Sequence, residues 1–299
     1  MNFRIYVGIW AGILALGAHS ASAEMNGKVG EALKQIKKNT QRMDTTFEVS
    51  SLQDQASRFK WDGEYCRNTA GDVGRNSTGV TGRISASQAE KLILSGLAEC
   101  TDMRGVRLNG KSFPGANLKG TALSQSEFQN ADFSGAILDG ALFENSKLGG
   151  INLSNASAQQ ADFTGSGMQG AQLNGADLQG ARLEKTRLGG ANLDNVLAIK
   201  TDFSGVKANH ASFKNADLTQ SGFVLADVSQ SDFRNANLTS TWMGTSAWKG
   251  ADLRGTNLSY IWFDDANMIG AKYNDSTILP SKLQDNPEAI AIKGLVYTP

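Results

Sequence analysis

Few residues of this 299-residue chain are of types that could do catalytic chemistry together. There are two histidines, His19 and His210, and two cysteines, Cys66 and Cys100. His19 lies in a leader-like segment, which leaves His210 alone. A lone imidazole supports neither a nucleophile–histidine arrangement nor a multi-histidine metal site. Neither cysteine has a C-x-x-C partner, so no zinc or dithiol redox motif is expected. The residues that stand out are aromatic. Trp242 and Trp262 are twenty positions apart, and Tyr260 lies beside the second. Exposed tryptophan pairs bind a protein partner or the flat face of a sugar. The expectation is an interaction surface of Trp242, Tyr260 and Trp262, with no catalytic residue, cofactor or metal. Burial of both tryptophans under the C-terminal tail is the competing expectation.

The first residues read as an address. Arg4 is the only charge before Glu24, and residues 5–18 are an apolar run too short to span a bilayer comfortably. Ala21-Ser22-Ala23 then supplies the small residues of a cleavage site, so residues 1–23 read as a secretory signal. An uncleaved anchor helix is the alternative. No other long apolar run follows, so no stable membrane insertion is expected after cleavage. Export to the periplasm or medium changes the reading of the cysteines. One even pair in an oxidising compartment is most simply a Cys66–Cys100 disulfide, with two free buried thiols as the alternative.

The elements that must position these residues follow from a period of five. Stepping from Leu108 by five gives Phe113, Leu118, Leu123, Phe128, Phe133 and so on to Ile278, 35 units, of which 25 have Leu or Phe at the centre. Two residues before the centre the residue is Ala, Ser or Thr in 29 of the 35 units. Gly or Asn is common two residues after it. Five is neither the helical nor the strand period. One large and one small inward residue per five requires a corner every five residues. Four corners close a coil of twenty, and coils stack at about 4.8 Å. On this register Trp242 and Trp262 point outward on adjacent coils, and Trp248 is core. Phe143, Phe163, Phe203 and Phe223 share one interior column, interrupted by Leu183. Phe113 and Phe133, then Phe213 and Phe233, share another.

Ala116-Asn117-Leu118-Lys119-Gly120 and Ala131-Asp132-Phe133-Ser134-Gly135 match the motif A-(D/N)-L-x-x as they stand. Over about residues 106–280 the chain thus resembles the pentapeptide-repeat family. The resemblance implies an all-β solenoid, a right-handed quadrilateral parallel β-helix. It implies no single function, because the motif residues build the core. It leaves end-to-end homodimers open, with residues 281–299 placed to block them.

An open β-helix needs caps. Residues 24–105 read as a helical and loop capping region. Val29, Leu33, Ile36 and Met43 suggest an amphipathic helix over 27–44, and residues 66–84 read as polar loop. Ser87-x-x-Glu90 reads as a capping box opening a helix over 87–98. Residues 281–299 lose the rhythm and form a C-terminal cap or tail, with Leu283, Ile290, Ile292, Leu295 and Val296 available to cover the last coil.

Charge separates the remaining functions. The 29 basic and 29 acidic residues cancel, so composition gives no case for nucleic acid or an anionic membrane. Lys214, Arg234 and Arg254 form a short basic column, but Asp232 and Asp252 lie beside it. The resemblance includes DNA-mimicking topoisomerase inhibitors with strongly acidic faces. Residues 106–280 carry 14 basic and 16 acidic residues, which argues against that activity. The reading is an exported, non-catalytic structural or protein-interaction rod. The alternative is an envelope glycan or ligand binder that uses the aromatic surface.

Overall fold

A four-residue turn at every fifth residue converts the period into a coil. The Thr121 N–H donates to the Leu118 carbonyl, the Ala131 N–H to Phe128, and the pattern repeats along the chain. The corner residue of nearly every turn has a left-handed backbone, with φ of 60° at Gly120, 57° at Asn130 and 58° at Asn195. Gly and Asn take that conformation at little cost, so they recur there. The computed structural model describes residues 59–67, 70, 73–74, 84–284 and 286–299. The expected signal segment and the helix over 27–44 lie outside the described residues.

Coils pair in parallel at a register of twenty, from Asp102↔Ala122 through Asp252↔Lys272. The ladder therefore begins one unit before the expected residue 106. Met103 fills a buried central position, and Cys100 already takes the corner with φ of 55°. The result is a four-sided parallel β-helix of single bridges joined by turns.

Its interior is filled as the spacing predicts. Central residues from Leu108 to Met268 are buried, including Trp248 and the undersized Ala158, Ala198 and Ala208. Large side chains stack between coils. Phe143 lies on Phe163 at 5.2 Å and 9°, Phe203 on Phe223 at 4.8 Å and 10°, and Phe213 on Phe233 at 4.6 Å and 2°. Each fully buried Phe or Leu contributes roughly 1.5–3 kcal/mol through removal from water. Leu197 and Ile199 stay half-exposed on an unbroken ladder, as a small surface patch rather than a local shift.

The N-terminal end is closed from the side and from above. Strands β1 (Lys60–Trp61) and β2 (Cys66–Arg67) form a short antiparallel hairpin. Cys66 is bonded to Cys100 with a Cα–Cα distance of 5.7 Å, which ties the hairpin to the first corner. Trp61 lies over the corners at Gly120 and Gly140. A Cβ at Gly140 would overlap its indole ring, on a backbone with φ of 63°. Gly140→Ala is therefore expected to lower stability by at least about 1–2 kcal/mol from the left-handed backbone alone. It should also displace Trp61, read as a red shift in tryptophan emission together with a lower melting temperature. Unchanged emission would show that the ring does not occupy this corner.

Helix α1 (Ala86–Leu94) follows, and it corrects the expected cap. Ser85 and Gln88 form the capping box, not Ser87 and Glu90. Starting two residues earlier buries Ala89, Leu92 and Ile93 on one face and frees Glu90 to pair with Lys111 at 3.0 Å. The helix ends at Leu94 rather than 98. Gly96, with φ of 71°, ends it in a Schellman turn in which the Leu97 N–H bonds the Leu92 carbonyl.

The C-terminal end departs from the expected phase. Asn257 bridges Ile278, one residue beyond the register of twenty. Ile278 therefore lies half-exposed on the outside instead of at a centre, while Thr277 turns inward. The slip is stabilised by side chains: the Gly255 N–H donates to Asn274 Oδ1 at 3.0 Å and Thr277 Oγ1 at 3.1 Å. Strand β3 (Lys272–Tyr273) then pairs in parallel with β4 (Val296–Tyr297), which follows helix α2 (Pro287–Lys293). Of the five expected covering residues, Leu283 and Leu295 are buried. Ile290 is half-buried, Ile292 faces solvent from the short helix, and Val296 faces solvent from β4.

Candidate functional site

Residues two, eighteen and twenty positions apart meet on a side of the rod, so one face can be read from the register. Positions just before the centre in one column are Asp102, Ala122, Leu142, Asp162, Arg182, Asp202, Gly222, Trp242 and Trp262. Asp162 pairs with Arg182 at 3.2 Å, so the middle of this column is charged. Its C-terminal end is apolar. Trp242 and Trp262 bridge each other, with ring centroids 5.9 Å apart and a 43° tilt. They are 58% and 63% exposed, and Tyr260 at the adjoining corner is 80% exposed. The three aromatic residues singled out from the sequence are thus brought together in the open.

The tail does not cover them. It is anchored one residue away: Lys282 Nζ pairs with Asp264 at 2.9 Å, and Lys293 Nζ donates to the Phe263 carbonyl at 3.1 Å. Lys293 also sits 5.1 Å from the Phe263 ring centroid. The tail therefore closes the end of the rod and stops short of the tryptophans.

Three further features of this face were not visible as a motif. Among corner residues with left-handed backbone, most are Gly, Asn, Gln or Lys. Leu225, Thr245 and Tyr260 are the aliphatic, β-branched and aromatic exceptions, with φ of 59°, 53° and 59°, and all three border the tryptophan face. Such residues are poorly suited to positive φ, and backbone strain concentrates at functional sites. Next, Gly222 and Gly244 flank Trp242 at outward positions without a left-handed backbone. A Cβ at Gly222 would make only ordinary contacts, 3.7 Å to Asp202 and 3.8 Å to Ser204, and one at Gly244 would meet nothing. The fold does not require glycine at either place. Finally, a shallow depression of about 250 Å³ lies beside Trp242, with Gly222 among its lining residues. Lys200, Asp202, Gln220 and Val224 are among its lining residues. So is Ser221, whose hydroxyl is buried without a hydrogen-bond partner. The register could have located the two glycines, but not the depression.

The basic column lies elsewhere and is neutralised. Lys214 pairs with Asp194 at 3.1 Å, Arg234 with Asp232 at 2.7 Å, and Arg254 with Asp252 at 2.7 Å. Burial pushes the Asp232 and Asp252 carboxyls up, but hydrogen bonds from the two guanidinium groups outweigh it and hold both below the usual range. Among the described residues no group of three or more His, Cys, Asp or Glu side chains could hold a metal ion. Among them, too, no helix is long and apolar enough to cross a membrane.

A four-sided parallel β-helix with one large and one small inward residue per five defines a repeat solenoid. The model of the family "Pentapeptide repeats" matches in eight copies, over residues 101–140, 136–175, 159–195, 186–223, 199–239 and 231–270. The chain belongs to the pentapeptide-repeat family, whose members fold as right-handed quadrilateral β-helices. It is similar to HetL, a pentapeptide repeat protein involved in heterocyst differentiation regulation from the cyanobacterium Nostoc sp. strain PCC 7120. The two share 23% identity over 63% of this chain and 97% of HetL, with a TM-score of 0.32. It is also similar to trypsin-treated QnrB1, a plasmid-mediated fluoroquinolone resistance protein, at 19% identity over 67% of this chain and 91% of that one, with a TM-score of 0.46. A third is a pentapeptide repeat protein of the Arabidopsis thaliana thylakoid lumen, at 22% identity over 39% of this chain and 74% of that one, with a TM-score of 0.23. A comparison with curated proteins finds no match.

Proposed function

We propose that this chain is an exported, non-catalytic interaction rod, working in the periplasm or the medium, whose contact surface is the face around Trp242, Tyr260 and Trp262. The observation that carries the reading is the openness of that face. A tail anchored at Phe263 and Asp264 leaves two large aromatic side chains in solvent, where each keeps apolar area that burial would remove from water. Solvent-exposed aromatic clusters of this kind serve as anchors for partners. The rest of the rod supports them: an unbroken ladder fixes the spacing of the two rings, and the caps protect the ends. Export is supported by the signal-like residues 1–23 and by the Cys66–Cys100 bond, which suits an oxidising compartment.

The test is affinity capture from the envelope and culture medium of the expressing cells, on immobilised mature chain. A Trp242→Ala, Trp262→Ala double variant runs beside it. At least one component retained by the parent chain and reduced tenfold or more by the variant is expected. Equal retention by both chains would refute the assignment of the surface. N-terminal sequencing of the exported chain should begin at Glu24, and a chain that keeps residues 1–23 would refute cleavage.

A further inference from the structure

We propose that the depression beside Trp242 is a glycan subsite, and that the partner of this face is an extended, uncharged β-linked polysaccharide. This deepens the interaction reading and rests on it. The argument starts from what a pyranose ring presents: one flat face of C–H groups, and a rim of hydroxyls that donate and accept. An aromatic face meets the first, and a few convergent polar groups meet the second. Trp242 supplies the platform. Gly222 and Gly244 clear the space on either side of it, at positions whose backbone would accept a side chain. Lys200, Asp202 and Gln220 stand around the depression with both donors and acceptors. Lys200 and Asp202 offset each other in charge, so the site favours a neutral ligand over an anion or a cation.

Dimensions favour a chain of sugars over a single one. The depression, of about 250 Å³, is smaller than the usual site of a drug-sized ligand and suits one ring. On the next coil beyond it, the Trp262 centroid is 5.9 Å from that of Trp242. Rungs of a parallel ladder repeat at about 4.8 Å. That is close to the advance of one sugar along an extended β-1,4-linked chain. A polysaccharide lying along the rod axis would place successive rings at Gly222, Trp242 and Trp262. A peptide side chain would meet the same aromatic surface, but it would leave Lys200, Asp202 and Gln220 without a ring of hydroxyls to bond.

Isothermal titration of the mature chain with cellohexaose and chitohexaose tests this, with α-linked maltohexaose as the control of shape. Saturable binding of at least one β-linked hexamer is expected, with maltohexaose at least tenfold weaker. Trp242→Ala and, separately, Gly222→Leu, which fills the depression, should each weaken binding at least tenfold without changing the melting temperature. Absence of binding to both β-linked hexamers would overturn the proposal. So would affinity indifferent to both substitutions, or equal affinity for maltohexaose. If the hexamers fail while capture of an envelope protein still depends on the two tryptophans, the glycan subsite falls and the interaction surface stands. If both fail, both readings fall.

Discussion

Phe213→Ala is expected to lower the stability of the rod by about 3–5 kcal/mol, the cost of removing a buried ring and leaving a cavity. Phe213 stacks on Phe233 at 4.6 Å and meets Phe203 and Phe223 edge-on at 6.1 Å and 6.3 Å. The narrow interior makes the upper half of that range the expected result. Each coil is a single residue thick, and its backbone is bonded to the coils on both sides, so the walls cannot collapse inward without breaking rungs. Ala211, the small inward neighbour, is fully buried and too short to fill the space. Chemical denaturation with far-UV circular dichroism measures the loss. A change below about 1 kcal/mol would mean that the interior relaxes far more than a packed solenoid allows. Phe213→Leu, which keeps the family's usual central residue, should recover most of the stability.

The second large effect concerns the staple. Cys66 and Cys100 are separated by 34 positions. Closing a loop of that length restrains the unfolded chain by roughly 3–4 kcal/mol in the chain-entropy view. A Cys66→Ser, Cys100→Ser variant is expected to lose about that much from the N-terminal end. The loss should be local. The hairpin is held to the rod by the bond, by Trp61 over Gly120 and Gly140, and by the Trp61 N–H donating to Glu99 at 2.9 Å. Without the bond it should open before the coils melt, since solenoid stability is a sum of neighbour terms. Hydrogen exchange should show early loss of protection over 60–67 and unchanged protection over 120–250. Loss spread evenly along the rod would show that the hairpin and the coils unfold as one unit. Non-reducing mass mapping should recover the Cys66–Cys100 linkage, and two free thiols would remove the staple altogether.

The coil was legible because its cause is local. Each unit carries its own corner residue, its own small inward residue and its own core residue, so thirty repetitions average away the exceptions. The Phe columns and the buried Trp248 follow from counting alone. The ends were less legible because they are set by competition. The spacing pointed to Ser87-x-x-Glu90, and the cap that formed is the overlapping Ser85-x-x-Gln88, with Ala89, Leu92 and Ile93 buried. The slip at Ile278 had no signal in hydrophobic spacing, because Ile suits a centre. What shifts it is polar: Asn274 and Thr277 take over the bond that a carbonyl would make to Gly255. The aromatic face was half legible. The interval of twenty placed Trp242 and Trp262 together, but whether the tail would hide them depended on where Lys282 and Lys293 anchor it.

The register of twenty also limits how the gene can change length. A duplication of twenty residues inside the ladder lengthens the rod and leaves every column where it was, since each residue still bridges the one twenty along. A duplication of five keeps the core and its hydrogen bonds equally well, yet turns everything beyond it by a quarter. Placed between Trp242 and Trp262, such an insertion would move the two indoles onto neighbouring sides with little loss of stability. Folding is therefore indifferent to the number of repeats modulo four, and surface recognition is not. Among descendants of this rod, insertions counted in fives should be tolerated anywhere that carries no paired feature. Between the tryptophans, only insertions counted in twenties would keep both on one side of the rod.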